Sequence, residues 1–332
     1  MIFGHHVVLF LLIALLADAI IGDPKWLWSR FPHPVVFAGQ LINCLDQRFN
    51  NATWSPGTRW RAGISALVFL MVVALGFGIA MRWLAGQFPG GGALEILIVT
   101  ILLAPRSLYD HVSAVVAAFN KGGTMEARGA VAMIVGRNTE ALDEAGISRA
   151  SIESAAENLS DGVIAPAFWY LIAGLPGLAI YKIVNTADSM IGHQTPRHEA
   201  FGWAAARFDD LLNWVPARIT AFLIALSAPL AGGSIYRAMA VACRDARLHR
   251  SPNAGWPEAA MASALGLALG GPRTYGTNIL GEHWLHKEGR HNANQQDIVY
   301  SLRVLIGACC LLVGALVLFL GIGHWFGMGH WL

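Results

Sequence analysis

Charge is the scarcest commodity in this chain. Only 13% of its 332 residues are Asp, Glu, Lys or Arg, against about one-quarter in a soluble domain. With 55% hydrophobic residues and a mean hydropathy of +0.50, a water-surrounded fold is excluded and an integral membrane protein is expected. No basic cluster interleaved with aromatics occurs, and a net charge of +2 gives no electrostatic footprint for nucleic acid. No cysteine pair has CxxC spacing. Cys44, Cys243, Cys309 and Cys310 are therefore expected as buried free thiols, not as a disulfide framework or zinc site. There is no GxxxxGK[ST] loop, no Rossmann glycine pattern and no HExxH, so any nucleotide or metal must be held by a different frame. No Pro/Ser-rich linker divides the chain. The expectation is one membrane-embedded domain, all-α and polytopic.

The apolar runs give the order of spans. Ile2 to Ile21 is long enough to cross the roughly 30 Å hydrocarbon layer once as a helix. A cleaved signal peptide is the competing reading, because Ala17-Asp18-Ala19 resembles a cleavage site. The missing Lys or Arg upstream, and Asp18 itself, speak against it. Asp18 is expected at the polar interface or facing a protein cavity. Gly22 to Arg61 is a polar connection broken by Pro24, Pro32 and Pro34, with an amphipathic run from Val35 to Phe49; a lone His33 in it is more simply solvated than catalytic. Ala62 to Leu84 is a clear span, and Ala93 to Ala104 is a short one stopped at Pro105. Arg106 to Asp161 turns polar with helical spacing of Val112, Val115, Val116 and Phe119, which predicts a helical cytoplasmic segment.

Gly162 to Val184 is apolar but interrupted by Pro166 and Gly174-Leu175-Pro176-Gly177, a pattern of two half-helices. Ala217 to Ala231 is another short run, Ala259 to Gly270 has the small residues of close helix packing, and Leu302 to Phe326 is a final span. Arginines and lysines concentrate in three connections, residues 25–61, 106–149 and 237–290, which the positive-inside bias assigns to the cytoplasm. If the runs flanking 185–213 are re-entrant, that stretch also faces the cytoplasm, where nucleotide is available.

The polar residues that remain are crowded between Glu153 and Arg218. Glu153 and Glu157, Ser154 and Asn158, and Asp209 and Asn213 each share a helix face. Helix caps and solvated faces are the plain alternative for any one of them. Taken together, Glu157, Asp188, Asp209 and Asp210 have the chemistry to hold Mg²⁺, and Arg207 and Arg218 to neutralise phosphate. Asn158, Asp161, Asn185, Thr186, Ser189 and Asn213 supply donors and acceptors for orientation, and Glu153 is a candidate general base. Ser251-Pro252-Asn253-Ala254-Gly255-Trp256-Pro257-Glu258 is a second polar turn. Its plain reading is an Asn/Gly turn entering a helix.

In sequence order the motifs are Asp23-Pro24, His33-Pro34-Val35, Glu153-Ser154-Ala155-Ala156-Glu157-Asn158-Leu159-Ser160-Asp161-Gly162, Asn185-Thr186-Ala187-Asp188-Ser189, Phe201-Gly202-Trp203, Arg207-Phe208-Asp209-Asp210, Asn213, Pro216-Ala217-Arg218 and the turn from Ser251 to Glu258. From about residue 15 to about residue 310 this order closely resembles the adenosylcobinamide-phosphate synthase family of cobalamin biosynthesis. The resemblance implies a multi-pass bacterial inner-membrane ligase that joins adenosylcobyric acid to (R)-1-aminopropan-2-yl phosphate with ATP and Mg²⁺. On that reading we assign catalytic roles to Glu153, Glu157, Asp188, Arg207, Asp209 and Asp210. Asn158, Asp161, Asn185, Thr186, Ser189, Asn213, Arg218, Asn253 and Glu258 would then bind substrate or ATP, with other enzymes of the pathway as partners. The chain departs from the family in two places. Lys25-Trp26-Leu27-Trp28-Ser29-Arg30-Phe31 is longer, and His193-Gln194-Thr195-Pro196-Arg197 replaces a Tyr and acidic pattern. Trp203, Trp214 and Trp256 are candidates to pack on the corrin. Two rival classes are an intramembrane phospho- or prenyltransferase, whose paired aspartate patterns are incomplete here, and a non-catalytic sensor or transporter on the same fold.

Overall fold

The computed structural model describes residues 4–325 apart from 137, 194, 272, 276–277 and 281–282. The ends Ile2 and Phe326 of two expected spans, and Gln194, lie outside the described residues. The elements in chain order are helices α1 (His5–Ile21), α2 (Lys25–Trp28), α3 (Pro34–Phe49), α4 (Pro56–Ala85), α5 (Gly92–Leu102), α6 (Pro105–Val131), α7 (Glu144–Leu159), α8 (Ala165–Ile191), α9 (Trp203–Ser227), α10 (Ile235–Asp245) and α11 (Gly255–Leu265). Four short strands follow, β1 (Leu269–Gly270), β2 (Arg273–Tyr275), β3 (Asn278–Leu280) and β4 (Trp284–Leu285), then α12 (Gln295–Trp325). β1 pairs antiparallel with β4, and β2 with β3. The protein is all-α in class. Among the described residues, five helical stretches are long and apolar enough to cross a membrane: Pro56–Ala85, Gly92–Val131, Glu144–Ile191, Trp203–Ala231 and Gln295–Trp325. At about 1.5 Å per residue, the 17 residues of α1 reach only some 26 Å.

The chain packs as two compact units, one made of Met1–Leu103, Ala165–Asn213 and Leu320–Leu332, the other of Ala104–Ile164 and Trp214–Phe319. In the first, α4 and α3 pack on α8, and α1 packs on α5. Ile42, Leu67, Leu70, Tyr181, Val184, Ala187 and Phe201 form its core. Close approach is built into the sequence at Gly63, where any Cβ would run into the Phe201 carbonyl. Along the other side of α4, Val68, Phe69, Val72, Val73 and Phe77 are exposed, a surface suited to lipid tails. Two ionisable groups expected to be costly in such a setting are buried. Asp18 is one; Glu95 is the other, and its Oε1 accepts a 2.7 Å bond from the Tyr170 hydroxyl.

The expected half-helices are present. α8 breaks at Ala173 and Gly174, and Gly174 has φ of 63°, a conformation that costs a residue with a Cβ far more than glycine. The freed backbone lies against Arg82, whose Nη1 would be 3.0 Å from a Cβ at residue 174. Pro166 does not break the helix. It comes just after a π-helical turn at Ser160–Ile164, and the Gly162 carbonyl four residues before it accepts from Ala104 N at 3.1 Å instead.

The second unit contains α6 and α7, the helices expected between Arg106 and Asp161. α6 is kinked at Gly122 and Gly123 and begins with Pro105, only two residues after α5 ends, so the short third run continues into a 40-residue stretch from Gly92 to Val131. α11 packs on α7 and α10, and all of its residues but Trp256 and Leu265 are buried. It stops at Leu265, short of Gly270, because residues 269–270 pair as β1 instead. The cysteines are free, as expected, but not buried: Cys44, Cys243 and Cys310 are exposed. Cys310 lies on the apolar surface of α12, where exposure is to lipid.

The two departures from the family pattern are structural. Trp28 of α2 lies edge-on to the His33 ring at 4.5 Å. His33 is not solvated; it caps α3, its Nδ1 accepting from Val35 N at 3.2 Å while Nε2 is 3.3 Å from the Ile101 carbonyl. Burial lowers its pKa, so the neutral ring is favoured. Arg197 binds Asp46 at 2.6 Å, and Asn50 donates to the same carboxylate at 2.7 Å. Burial pushes the Asp46 pKa upward, but the bonds from Asn50 and Arg197 outweigh it and hold the carboxyl below its ordinary value. A depressed carboxylate contributes stability above its unfolded pKa, and loses it as pH falls through the folded value. Arg197→Ala is therefore expected to lower stability by about 1–2 kcal/mol at neutral pH. The gap to wild type should narrow below pH 4, read as melting temperature in detergent across pH.

Candidate functional site

The first unit brings together the polar residues of α8 and the start of α9. Asp209, 7% exposed, accepts from Asn213 Nδ2 at 2.9 Å on one oxygen and from Asn185 Nδ2 at 3.3 Å on the other. Asn213 is oriented in turn by the buried Tyr181, whose hydroxyl donates to Asn213 Oδ1 at 3.0 Å. The i, i+4 spacing of Asp209 and Asn213, with Tyr181 and Asn185 one turn apart on α8, produces this Tyr181–Asn213–Asp209–Asn185 relay. Asp188 and Asp210 lie close enough to Asp209 for the three charges to repel one another, with His193 near Asp188. Arg207 Nη1 is 3.5 Å from Asp210 at the exposed edge. A positive charge bound beside carboxylates crowded in this way would relieve their repulsion.

Two neighbours turn away from the group. The Thr186 hydroxyl donates to the Lys182 carbonyl at 2.6 Å and the Ser189 hydroxyl to the Asn185 carbonyl at 2.9 Å, the backbone bonding usual for such residues inside helices. Among the described residues no three or more His, Cys, Asp or Glu side chains converge as a ready metal cage. That donor set fits Mg²⁺, which takes one or two carboxylates and completes its shell with water and phosphate oxygen.

The second unit holds the remaining expected site residues. Glu157 and Asn158 are exposed on α7; the Asn158 amide donates to Ser154 O at 2.9 Å, and the Ser154 hydroxyl to Ile134 O at 2.7 Å. Asp161 sits in the π-helical turn, a rare local geometry that recurs at functional sites. Glu153 is buried, and its Oε1 accepts from Gly270 N at 2.8 Å. That bond ties α7 to β1, so the residue expected as a base anchors backbone. Glu153→Gln keeps an acceptor there and is expected to leave turnover within about threefold, whereas Glu153→Ala orphans a buried amide and should cost about 1–3 kcal/mol of stability. Parallel melts and rate measurements separate the two roles.

Arg218 is held between two indoles, its guanidinium carbon 4.2 Å from the Trp214 ring centre and 4.6 Å from that of Trp256. Arg218 Nη1 also donates to the Trp214 carbonyl, and the remaining in-plane N–H groups are of the kind that pair with phosphate. The roles of Trp214 and Trp256 are thus partly answered: they brace an arginine. The turn from Ser251 enters α11 as its plain reading expects, with Ser251 Oγ accepting from Asn253 N and Ala254 N. Asn253 is buried beside it, and Glu258, 2% exposed, lies 3.7 Å from His249 Nε2.

A family model described as CobD/Cbib protein matches residues 11–305, nearly the whole chain. The chain belongs to the CobD/Cbib family. Curated relatives include the cobalamin biosynthesis protein CobD of a Sinorhizobium species, 48% identical over 94% of this chain and 97% of that one, and the protein of the same name from Brucella suis biovar 1, 48% identical over 92% and 94%. The Rhodobacter capsulatus protein of that name is 47% identical over 83% of this chain and 86% of its own length. No solved structure matches this CobD/Cbib chain significantly. The acidic relay on α8 and α9 and the braced Arg218 both fall within the matched span.

Proposed function

We propose that this protein works in cobalamin biosynthesis as a membrane ligase that forms an amide between adenosylcobyric acid and (R)-1-aminopropan-2-yl phosphate, consuming ATP with Mg²⁺. The pathway is supported by the names of relatives aligned over nearly their full length. The observation that carries the chemistry is the buried Asp209, fixed by Asn185 and Asn213 beside Asp188 and Asp210.

A carboxylate does not acylate an amine unaided. In the proposed reaction its oxygen attacks the γ-phosphorus of ATP and ADP leaves; the amine then attacks the acyl carbon and phosphate leaves. Bound Mg²⁺ would neutralise phosphate oxygens as charge moves. Asp188 and Asp210 are the carboxylates available to hold it, Asp209 being already bonded on both oxygens. Arg207 and Arg218 would bind transferring and leaving phosphate. Removal of the ammonium proton is assigned to whichever of Asp188 and Asp210 does not hold the metal. The membrane assignment extends to the inner membrane with the site open to the cytoplasm, where ATP is present.

Purified protein in detergent should sustain ADP release over many turnovers only when acid, amine and Mg²⁺ are all supplied, and EDTA should stop it. ADP release indifferent to adenosylcobyric acid would contradict the reading. Arg218→Lys keeps the charge but not the planar fork, and is expected to lower kcat/KM about tenfold to a hundredfold.

A further inference from the structure

The second unit contains a cleft of about 660 Å³, none of whose lining residues has been given a role in the proposed reaction. Its volume lies within the range of small-molecule sites, about 300–1,000 Å³. One wall is the end of α10 and the short 3₁₀ turn Ala246–Leu248; the other is β4 and the turn after it.

The acidic groups of this cleft are spent on holding it together. Arg244 binds both oxygens of Asp245, at 2.6 and 2.8 Å, and both of Glu288, at 3.0 Å each. Asp245 also accepts from His286 N at 2.8 Å. The guanidinium thus clamps one wall to the other. Burial works to raise the pKa of Asp245, yet Arg244 and the His286 amide hold it below the ordinary carboxylate value; Arg244 lowers that of Glu288 likewise. Both remain charged and satisfied at neutral pH.

The cations that remain are Arg247 and Lys287, exposed side chains with no ion-pair partner among the described residues. Next to them the cleft is lined by Leu248 and by the indole of Trp284, itself braced by the His291 ring at 4.4 Å and by the Arg149 guanidinium at 5.5 Å. Two uncommitted cations beside a fixed aromatic surface match a ligand with a phosphate at one end and a flat or apolar group at the other. We propose that this cleft binds a phosphorylated small molecule through Arg247 and Lys287, with its organic part against Trp284 and Leu248. The claim rests on the cleft alone and not on amide synthesis.

Isothermal titration of full-length protein in detergent tests it, with ATP, 1-aminopropan-2-yl phosphate and inorganic phosphate as probes. The Arg247→Ala/Lys287→Ala double variant, with wild-type melting temperature, is expected to weaken one of the two organic phosphates by at least about tenfold. Arg237→Ala, which removes an exposed cation elsewhere on α10, should leave that affinity within about twofold. The probe that weakens identifies the source, nucleotide or phosphorylated amine. Affinities unchanged for all three probes in the double variant, or equal losses in Arg237→Ala, would overturn the proposal. Because binding is read without turnover, a failed ligase assay leaves this result intact, and the converse also holds.

Discussion

Asp209→Asn is expected to reduce amide formation by at least about a hundredfold while leaving the protein folded. The native carboxylate accepts from two amide groups, and Asn213 cannot turn over to help, because its own oxygen is engaged by Tyr181. An asparagine at 209 offers one acceptor where two donors point, so an N–H group faces an N–H group in a buried setting. It also removes one of three crowded negative charges, the feature that would favour a cation. Both effects act on the first half-reaction, so ADP release should fall with the amide product. The check is product mass and ADP measured together, alongside a melting curve. Full turnover in a folded variant would take Asp209 out of the site.

Gly63→Ala is expected to be among the most destabilising single-methyl changes in the protein, about 2–3 kcal/mol. The added Cβ would meet the carbonyl of Phe201, which is backbone and has no rotamer by which to retreat. α4 would have to move away from the segment that leads into α9, loosening the core around Leu67, Leu70 and Phe201 that supports the relay. Gly76, on the same helix, has nothing within 4 Å of its Cβ position. Gly76→Ala is therefore the control and should be neutral or slightly stabilising, through helix propensity alone. Thermal melts of the two variants in the same detergent decide the matter; equal melting temperatures would contradict the packing described for Gly63.

What could be read from the sequence was local. The Gly174 break needs only an apolar run and the Gly-Leu-Pro-Gly cluster inside it, and Asp209 with Asn213 needs only a spacing of four. The charge-poor composition was enough for a polytopic helical protein. The missing parts depend on partners far away in the chain. Glu153 looks like a free carboxylate until Gly270 is seen donating to it, and Tyr181 reads as one more apolar residue of α8 until its hydroxyl meets Asn213. Glu95 has no signal of its own inside a short apolar run; as a buried carboxylate it needs a partner, and Tyr170, 75 positions later, supplies one. Arg197 had no local signal; its partner Asp46 is 151 positions earlier.

The most direct test of the account is the fate of the carboxylate oxygens. With adenosylcobyric acid carrying ¹⁸O in its free carboxylate, ATP, Mg²⁺ and the amine, activation by phosphoryl transfer predicts one ¹⁸O in the released phosphate and one in the amide carbonyl. Amide product with unlabelled phosphate would contradict that route. No product at all from protein shown to be folded would contradict the ligase reading itself.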